Sequence, residues 1–166
     1  MALGTIIRSF AAPTNTPRGL AFDGRYLWLT ESDTNSFHQI DPETGTVIRT
    51  FASPLGSPRG LTFDGRHLWY IEDTTEMVSQ VDPETGTLIR SFASPSTAPA
   101  DLAFDGRCLW HVDSDESSIY QIDPETGTVI RAFVFALQAL LPLTFDGRCL
   151  WLGNLTTVQI SQIDIG

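Results

Sequence analysis

Four tryptophans, Trp28, Trp69, Trp110 and Trp151, follow one another at intervals of 41 residues. Phe22, Phe63, Phe104 and Phe145 keep the same interval, and so do Arg8, Arg49, Arg90 and Arg131. A fixed period of this size means that one supersecondary unit is stacked several times, because each unit can bury its apolar face only against a neighbour. The repeats start at residues 4, 45, 86 and 127, and they imply that residues 1–166 form a single repeat domain.

Each period is punctuated as hairpins. Residues 60–72, GLTFDGRHLWYIE, are two β-rich runs around Asp64-Gly65, a pair that recurs at 23–24, 105–106 and 146–147. Asp-Gly between such runs predicts a type I′ turn, whose two central residues both take positive φ. Residues 79–92, SQVDPETGTLIRSF, predict a second hairpin, in which Pro83 presets φ and Gly86 supplies the left-handed conformation. No segment carries a helical period over ten residues. Four short antiparallel strands per repeat describe a propeller blade, so the expected fold class is all-β, a β-propeller of four blades per chain. From the axis outward, strand A is GLTFD (60–64), B is HLWYIE (67–72), C is MVSQVD (77–82) and D is GTLIRSF (86–92).

The first repeat opens with a D strand at Gly4-Thr5, and the last ends with a C strand at Gln162-Ile163-Asp164. Pairing these two would leave no blade edge open. Pairing within one chain gives a ring of four blades. Pairing between two chains gives a ring of eight, with each chain supplying half. Intramolecular closure costs less entropy and is the preferred expectation.

The chain carries a formal net charge of −10, and all its cationic side chains are arginine. This balance disfavours nucleic acid or an anionic membrane as partner. The opening residues, MALGTIIRSF, lack the pattern of a signal peptide, and no run reaches the length of a membrane-spanning helix. Cys108 and Cys149 hold the same place in successive repeats, too far apart for a disulfide. Free thiols and the absent leader pattern place the expected location in the cytoplasm.

The blades read Pro17-Arg18-Gly19-Leu20-Ala21-Phe22-Asp23-Gly24, then Leu27-Trp28-Leu29-Thr30-Glu31, then Gln39-Ile40-Asp41-Pro42-Glu43-Thr44-Gly45. This phrasing resembles the virginiamycin B lyase-like and NHL-type propellers along the whole chain, and glutamine cyclotransferase-like propellers share part of it. The resemblance implies the blade type. It also raises a lyase-like reading, because those enzymes use histidine and acidic residues with a divalent metal at the channel mouth. Here His38, His67 and His111 occupy three different repeat positions, and no acid–base pair is predicted from them. The chain holds no P-loop, Rossmann glycine pattern, nucleophile elbow, CxxC or HExxH, so no catalytic residue, metal set or cofactor is assigned.

In a propeller the B–C and D–A loops share one face, around the channel mouth. Strand B ends in Glu31, Glu72 and Asp113, with Asn154 in the fourth place, and Asp115 follows in the third loop. A partial ring of carboxylates there suits a hard cation or an amine. Arg18 and Arg59 approach from the D–A loops and are expected to pair with Glu31 and Glu72. Arg18, Glu31, Arg59, Glu72, Asp113 and Asp115 are therefore the ligand-binding candidates. The arginines of strand D and those after the A–B turn (Arg25, Arg66, Arg107, Arg148) recur in every blade and are expected to serve architecture, with Asp41 and Asp82 among their partners. The tryptophans are expected between blades.

One stretch breaks the repeat. The polar loops AAPTNTPRG, ASPLGSPRG and ASPSTAPAD give way to VFALQALLP at 134–142, beside a B–C loop without an acid at 153–159. Phe135, Leu137, Leu140, Leu141 and Leu155 would form an apolar patch, either a plug for the channel or a contact for a homodimer or another protein. The best-supported expectation is a non-enzymatic scaffold or binding module acting through the loop face. A small-molecule or glycan site at the channel mouth and a metal-assisted lyase are the alternatives. Near-identical blades also fit an engineered or recently amplified array.

Overall fold

In the computed structural model, which describes residues 6–135, 140–154 and 157–166, each repeat folds as one antiparallel blade of a β-propeller. Blade 1 holds β1 (Pro17–Phe22), β2 (Leu27–Glu31), β3 (Ser36–Ile40) and β4 (Val47–Ala52). Blade 2 holds β5 (Pro58–Phe63), β6 (Leu68–Glu72), β7 (Met77–Val81) and β8 (Leu88–Ala93). Blade 3 holds β9 (Pro99–Phe104), β10 (Leu109–Asp113), β11 (Ser118–Ile122) and β12 (Val129–Val134). Blade 4 holds β13 (Leu140–Phe145), β14 (Leu150–Asn154) and β15 (Gln159–Ile163). Within each blade the strands lie in sequence order, and β1, β5, β9 and β13 line one channel. The inner strands start two residues earlier than expected, at Pro17 and its equivalents. Leu140, Leu141 and Pro142 therefore belong to β13, with Leu140 opposite Asn154 and Leu141 opposite Gly153, and not to a loop spanning 134–142.

The Asp-Gly turn holds each blade together. Asp23 accepts the amides of Arg25 and Tyr26 on Oδ1 at 2.8 and 2.6 Å, and the Trp28 indole on Oδ2 at 2.7 Å. Asp64, Asp105 and Asp146 hold Trp69, Trp110 and Trp151 in the same way, at 2.8, 2.7 and 2.6 Å. This pairing explains why Asp and Trp recur five residues apart. Positive φ occurs at Gly24 (94°) but not at Asp23 or Arg25, and the closing bond runs from the Asp23 amide to the Tyr26 carbonyl. Glycine is therefore the first central residue. That is not the expected type I′, which needs positive φ at both central residues. In the second hairpin Gly86 takes φ 71°, as expected.

The tryptophans lie between blades. Trp28 and Phe37 pack on Leu61, Leu68, Tyr70 and Val81 of blade 2. Trp69, Ile71 and Val78 pack on Leu102, Leu109 and Ile122 of blade 3, and Trp110, Val112 and Ile119 pack on Leu143, Leu150 and Leu152 of blade 4. The strand D arginines cross the same seams at the outer rim. Arg49 donates to the Pro83 carbonyl at 2.7 Å and pairs with Glu84 at 2.9 Å, and Arg90 pairs with Glu125 at 2.7 Å. Their partners are thus the glutamates of the next turn and not the expected Asp41 and Asp82. Those aspartates are occupied in capping their own turns, at the amides of Glu43 and Glu84. The thiols of Cys108 and Cys149 are buried and unpaired.

Blade 4 has three strands among the described residues. Residues 6–12 form no strand, and the expected pairing of the N-terminal segment with β15 is not seen.

Two outcomes test these assignments. Trp69→Ala, emptying a site 1% exposed, is expected to cost about 3–5 kcal/mol, seen as a melting point lowered by roughly 10 °C. Val158 is β-branched yet sits at φ 54°, where its equivalent Asn35 takes φ 53°. Val158→Asn should therefore raise stability by about 1 kcal/mol, or roughly 2–4 °C.

Candidate functional site

The strand B acids end where the loop face begins, but they point inward. Glu31, Glu72 and Asp113 are fully buried. Glu31 accepts the amides of Asp33 and Thr34 at 2.9 and 3.0 Å, together with the hydroxyls of Thr14, Thr16 and Thr34. Glu72 accepts the amides of Thr74 and Thr75. Asp113 accepts those of Asp115 at 2.8 Å, Ala98 at 3.0 Å and Glu116. Asn154 Oδ1 does the same for Thr157 at 2.7 Å. A loop amide needs only an acceptor oxygen, so a carboxamide can fill a place that is otherwise acidic. Burial is the largest influence on Glu31 and pushes its carboxyl up. The hydrogen bonds from Thr34, Asp33 and Thr14 together outweigh it and hold the group below the usual range.

Because these carboxylates serve their own loops, the arginines find partners one residue further on. Arg59 pairs with Asp73 at 2.7 Å, and Arg18 Nε donates to Ser32 Oγ at 3.2 Å. The expected Arg18–Glu31 and Arg59–Glu72 pairs are not made. Of the six candidates, Arg18 and Arg59 reach the channel wall, Asp115 is exposed on its loop, and the other three lie behind the loops.

The channel has a volume of about 770 Å³ and is walled by all four inner strands. Its charged residues are Arg18, Arg59 and Asp101. Sequence reasoning missed Asp101. The signal was available, since Pro17-Arg18-Gly19 and Pro58-Arg59-Gly60 become Pro99-Ala100-Asp101. Neighbouring inner strands approach closely here, and a Cβ on Gly60 would lie 2.6 Å from the Asp101 Cα. At 101 the side chain instead bridges forward. Oδ1 accepts the Leu102 amide and Oδ2 the Leu143 amide of blade 4, both at 2.9 Å. Burial raises the carboxyl to about 6, against the pull of these amides and of the Arg59 charge.

The histidines do not meet. His38 Nδ1 lies 2.9 Å from Thr50 Oγ1, and His67 lies 3.1 Å from Gln80 Nε2 and 3.8 Å from Asp64. His111 is buried, with Nε2 held by Ser94 and Ser96 at 3.1 and 3.0 Å, and burial lowers it to about 4. Among the described residues no three His, Cys, Asp or Glu side chains converge. In blade 4 Phe135 is half-buried against the seam between blades 3 and 4, and its amide donates to the Ser117 carbonyl at 2.9 Å. Leu137 and Leu155 lie outside the described residues, as do the side chains of Leu140 and Leu141.

Asp101 gives a pH prediction. Its folded pKa is raised, so the folded state holds the proton more tightly than the unfolded chain does. Its contribution is fully present below about pH 4 and is lost as pH rises through about 6. Removing it in Asp101→Gly should narrow the gap to the parent across this window, by roughly 2 kcal/mol between the two ends. Paired denaturant titrations at pH 4 and 7 measure the difference.

No family model and no curated protein sequence matches the chain. Solved structures do resemble it. Glutaminyl cyclase of Myxococcus xanthus aligns with a TM-score of 0.73 and 16% identity, over 88% of this chain and 71% of that one. The computationally designed Ika4 protein aligns at 0.69 and 18% identity, over 99% of this chain and 100% of its own. Virginiamycin B lyase of Staphylococcus aureus aligns at 0.66 and 19% identity, over 99% of this chain and 61% of the lyase. At these identities the likeness shows the fold alone, a propeller of the type that the blade motif resembles.

Proposed function

We propose that the chain is a binding module that engages its partner through the face formed by the D–A and B–C loops. The carrying observation is the contrast between its two ends. On the turn face the four Asp-Gly-Arg turns and the three Asp-Pro-Glu-Thr-Gly turns repeat their residues and their hydrogen bonds, down to a Gly amide to Asp carbonyl bond of 2.8 Å in each of the latter. On the loop face no two repeats carry the same loop sequence, although Pro-Arg-Gly is shared by the first two D–A loops and the caps at the end of strand B recur. A rigid frame with varied loops on one side is the arrangement that places recognition on the loops. Buried Glu31, Glu72 and Asp113 pre-order those loops, which reduces the entropy lost on binding. The apolar stretch at 134–142 is a further candidate contact in this reading. Phe135 contributes from behind, by packing inward.

A second reading, a small molecule or glycan at the channel mouth, is favoured by Arg18, Arg59 and Asp101 on one wall of about 770 Å³. A lyase-like activity draws support only from the likeness of fold.

Peptides selected against the immobilised chain test the first reading. They should bind at least tenfold more weakly to Arg59→Glu and keep their affinity for Arg66→Glu on the turn face. The reverse pattern would move the binding surface to the turns. For the channel reading, spermidine, calcium and a maltooligosaccharide are the probes, read as a rise in melting temperature that Asp101→Gly abolishes.

A further inference from the structure

The inner strands touch in the order β1, β5, β9, β13, and β13 makes no comparable contact with β1 among the described residues. Three seams are therefore formed, and the two outer blades each present half of a fourth. On blade 1, Leu20 is 61% exposed, whereas its equivalent Leu61 is 3% exposed. On blade 4, Ile160 is 78% exposed, whereas its equivalent Val78 is fully buried. Trp151 and Leu27, also at seam positions, are half-buried where their equivalents in the formed seams are buried.

The outer rim repeats the pattern. Phe51 of β4 lies tilted against Trp28 of its own blade and covers Gly86 of the next, while Arg49 grips that blade's turn. Phe10 covers Gly45 in the same way, and Arg8 binds the Pro42 carbonyl at 2.9 Å and Glu43 at 2.7 Å. The segment bearing Arg8 and Phe10 thus docks on blade 1 as the outer strand of a preceding blade would. Among the described residues it has no third strand beside it, and β15 has no outer strand.

We propose that a second copy of this chain fills both vacancies, so that two copies close one eight-bladed ring. Blade 4 of each copy packs on blade 1 of the other, and the Arg8–Phe10 segment of one pairs with β15 of its partner. The occupant follows from complementarity. The two open faces carry the two halves of an apolar seam that the chain already makes three times, in one register. Each seam joins two unlike faces, and a single two-fold rotation relates the two seams, so the ring has two equal seams and no free edge.

Light scattering on the 166-residue chain should give twice its 18.3 kDa mass. Leu20→Asp and Ile160→Asp should each lower this to the single-chain mass, one from each side of the seam. Mixing them is the decisive arm. One seam of the mixed ring carries both substitutions and the other carries neither, so the dimer should reappear, which also shows that both variants fold. A parent chain that stays at 18.3 kDa, or forms an assembly of any other mass, overturns the proposal. So does a dimer that both variants leave intact, since its contact would lie elsewhere, for instance at the blade 4 loop. Failure of the mixture to restore the dimer, with both variants keeping their β-sheet circular dichroism, counts against it equally.

Discussion

The bond from each tryptophan indole to the aspartate five residues before it is the contact on which the rest of the structure depends. An indole N–H buried without an acceptor would cost free energy comparable to a lost hydrogen bond. The aspartate that accepts it also caps the turn joining the two inner strands, so turn geometry and ring orientation are set by one side chain. With the ring so held, its face meets the leucines of the next blade, and the seam is dry and repeated. Asp64 shows the electrostatic balance. Burial is the largest influence and pushes its carboxyl up, but the bonds from His67, Trp69, Arg66 and Gln80 together hold it below the usual range. An acceptor that stays ionised keeps all its lone pairs for these donors.

Much of the fold was legible because the repeat carries its own controls. Fourfold Trp, Phe and Asp-Gly made the blade, its strand order and the place of the tryptophans at the seams legible. Turn type was less legible. Asp-Gly can occupy the two central places or begin one step earlier, and the outcome turns on whether Asp or Gly is the first central residue. The arginine partners were misplaced for a related reason. Asp41 and Asp82 are the nearer acids in the motif, but a short carboxylate beside a turn is claimed by that turn's own amides, leaving the longer, outward Glu84 and Glu125 for the guanidinium.

The candidate site was legible by position and not by role. Glu31, Glu72 and Asp113 do stand at the end of strand B, as the spacing required. Their orientation was hidden, because an acid at a strand end can face solvent or turn back to cap the loop. Asn154 held the clue. A ring built for a cation loses a charge when one member becomes asparagine, whereas a ring of loop caps loses nothing. Asp101 was overlooked because it replaces a glycine, a residue read as a backbone requirement and not as the vacant place of a side chain.

Identical seams carry a further consequence. When every blade offers the same leucine face and the same tryptophan face, sequence cannot say which blades meet, and hydrogen bonding is equally satisfied in rings of different size. What separates them is the spacing of the inner strands. Gly19 and Gly60 let neighbouring backbones approach closely, and an added Cβ at either would fall within 3 Å of the next strand. That approach sets the angle between successive blades and hence how far four of them extend round an axis. Among the described residues β13 and β1 are out of comparable contact and Leu20 and Ile160 are uncovered, so the first and last blades present complementary faces. Varied loops lie at one end of the channel that the four inner strands wall, and the repeated turns lie at the other.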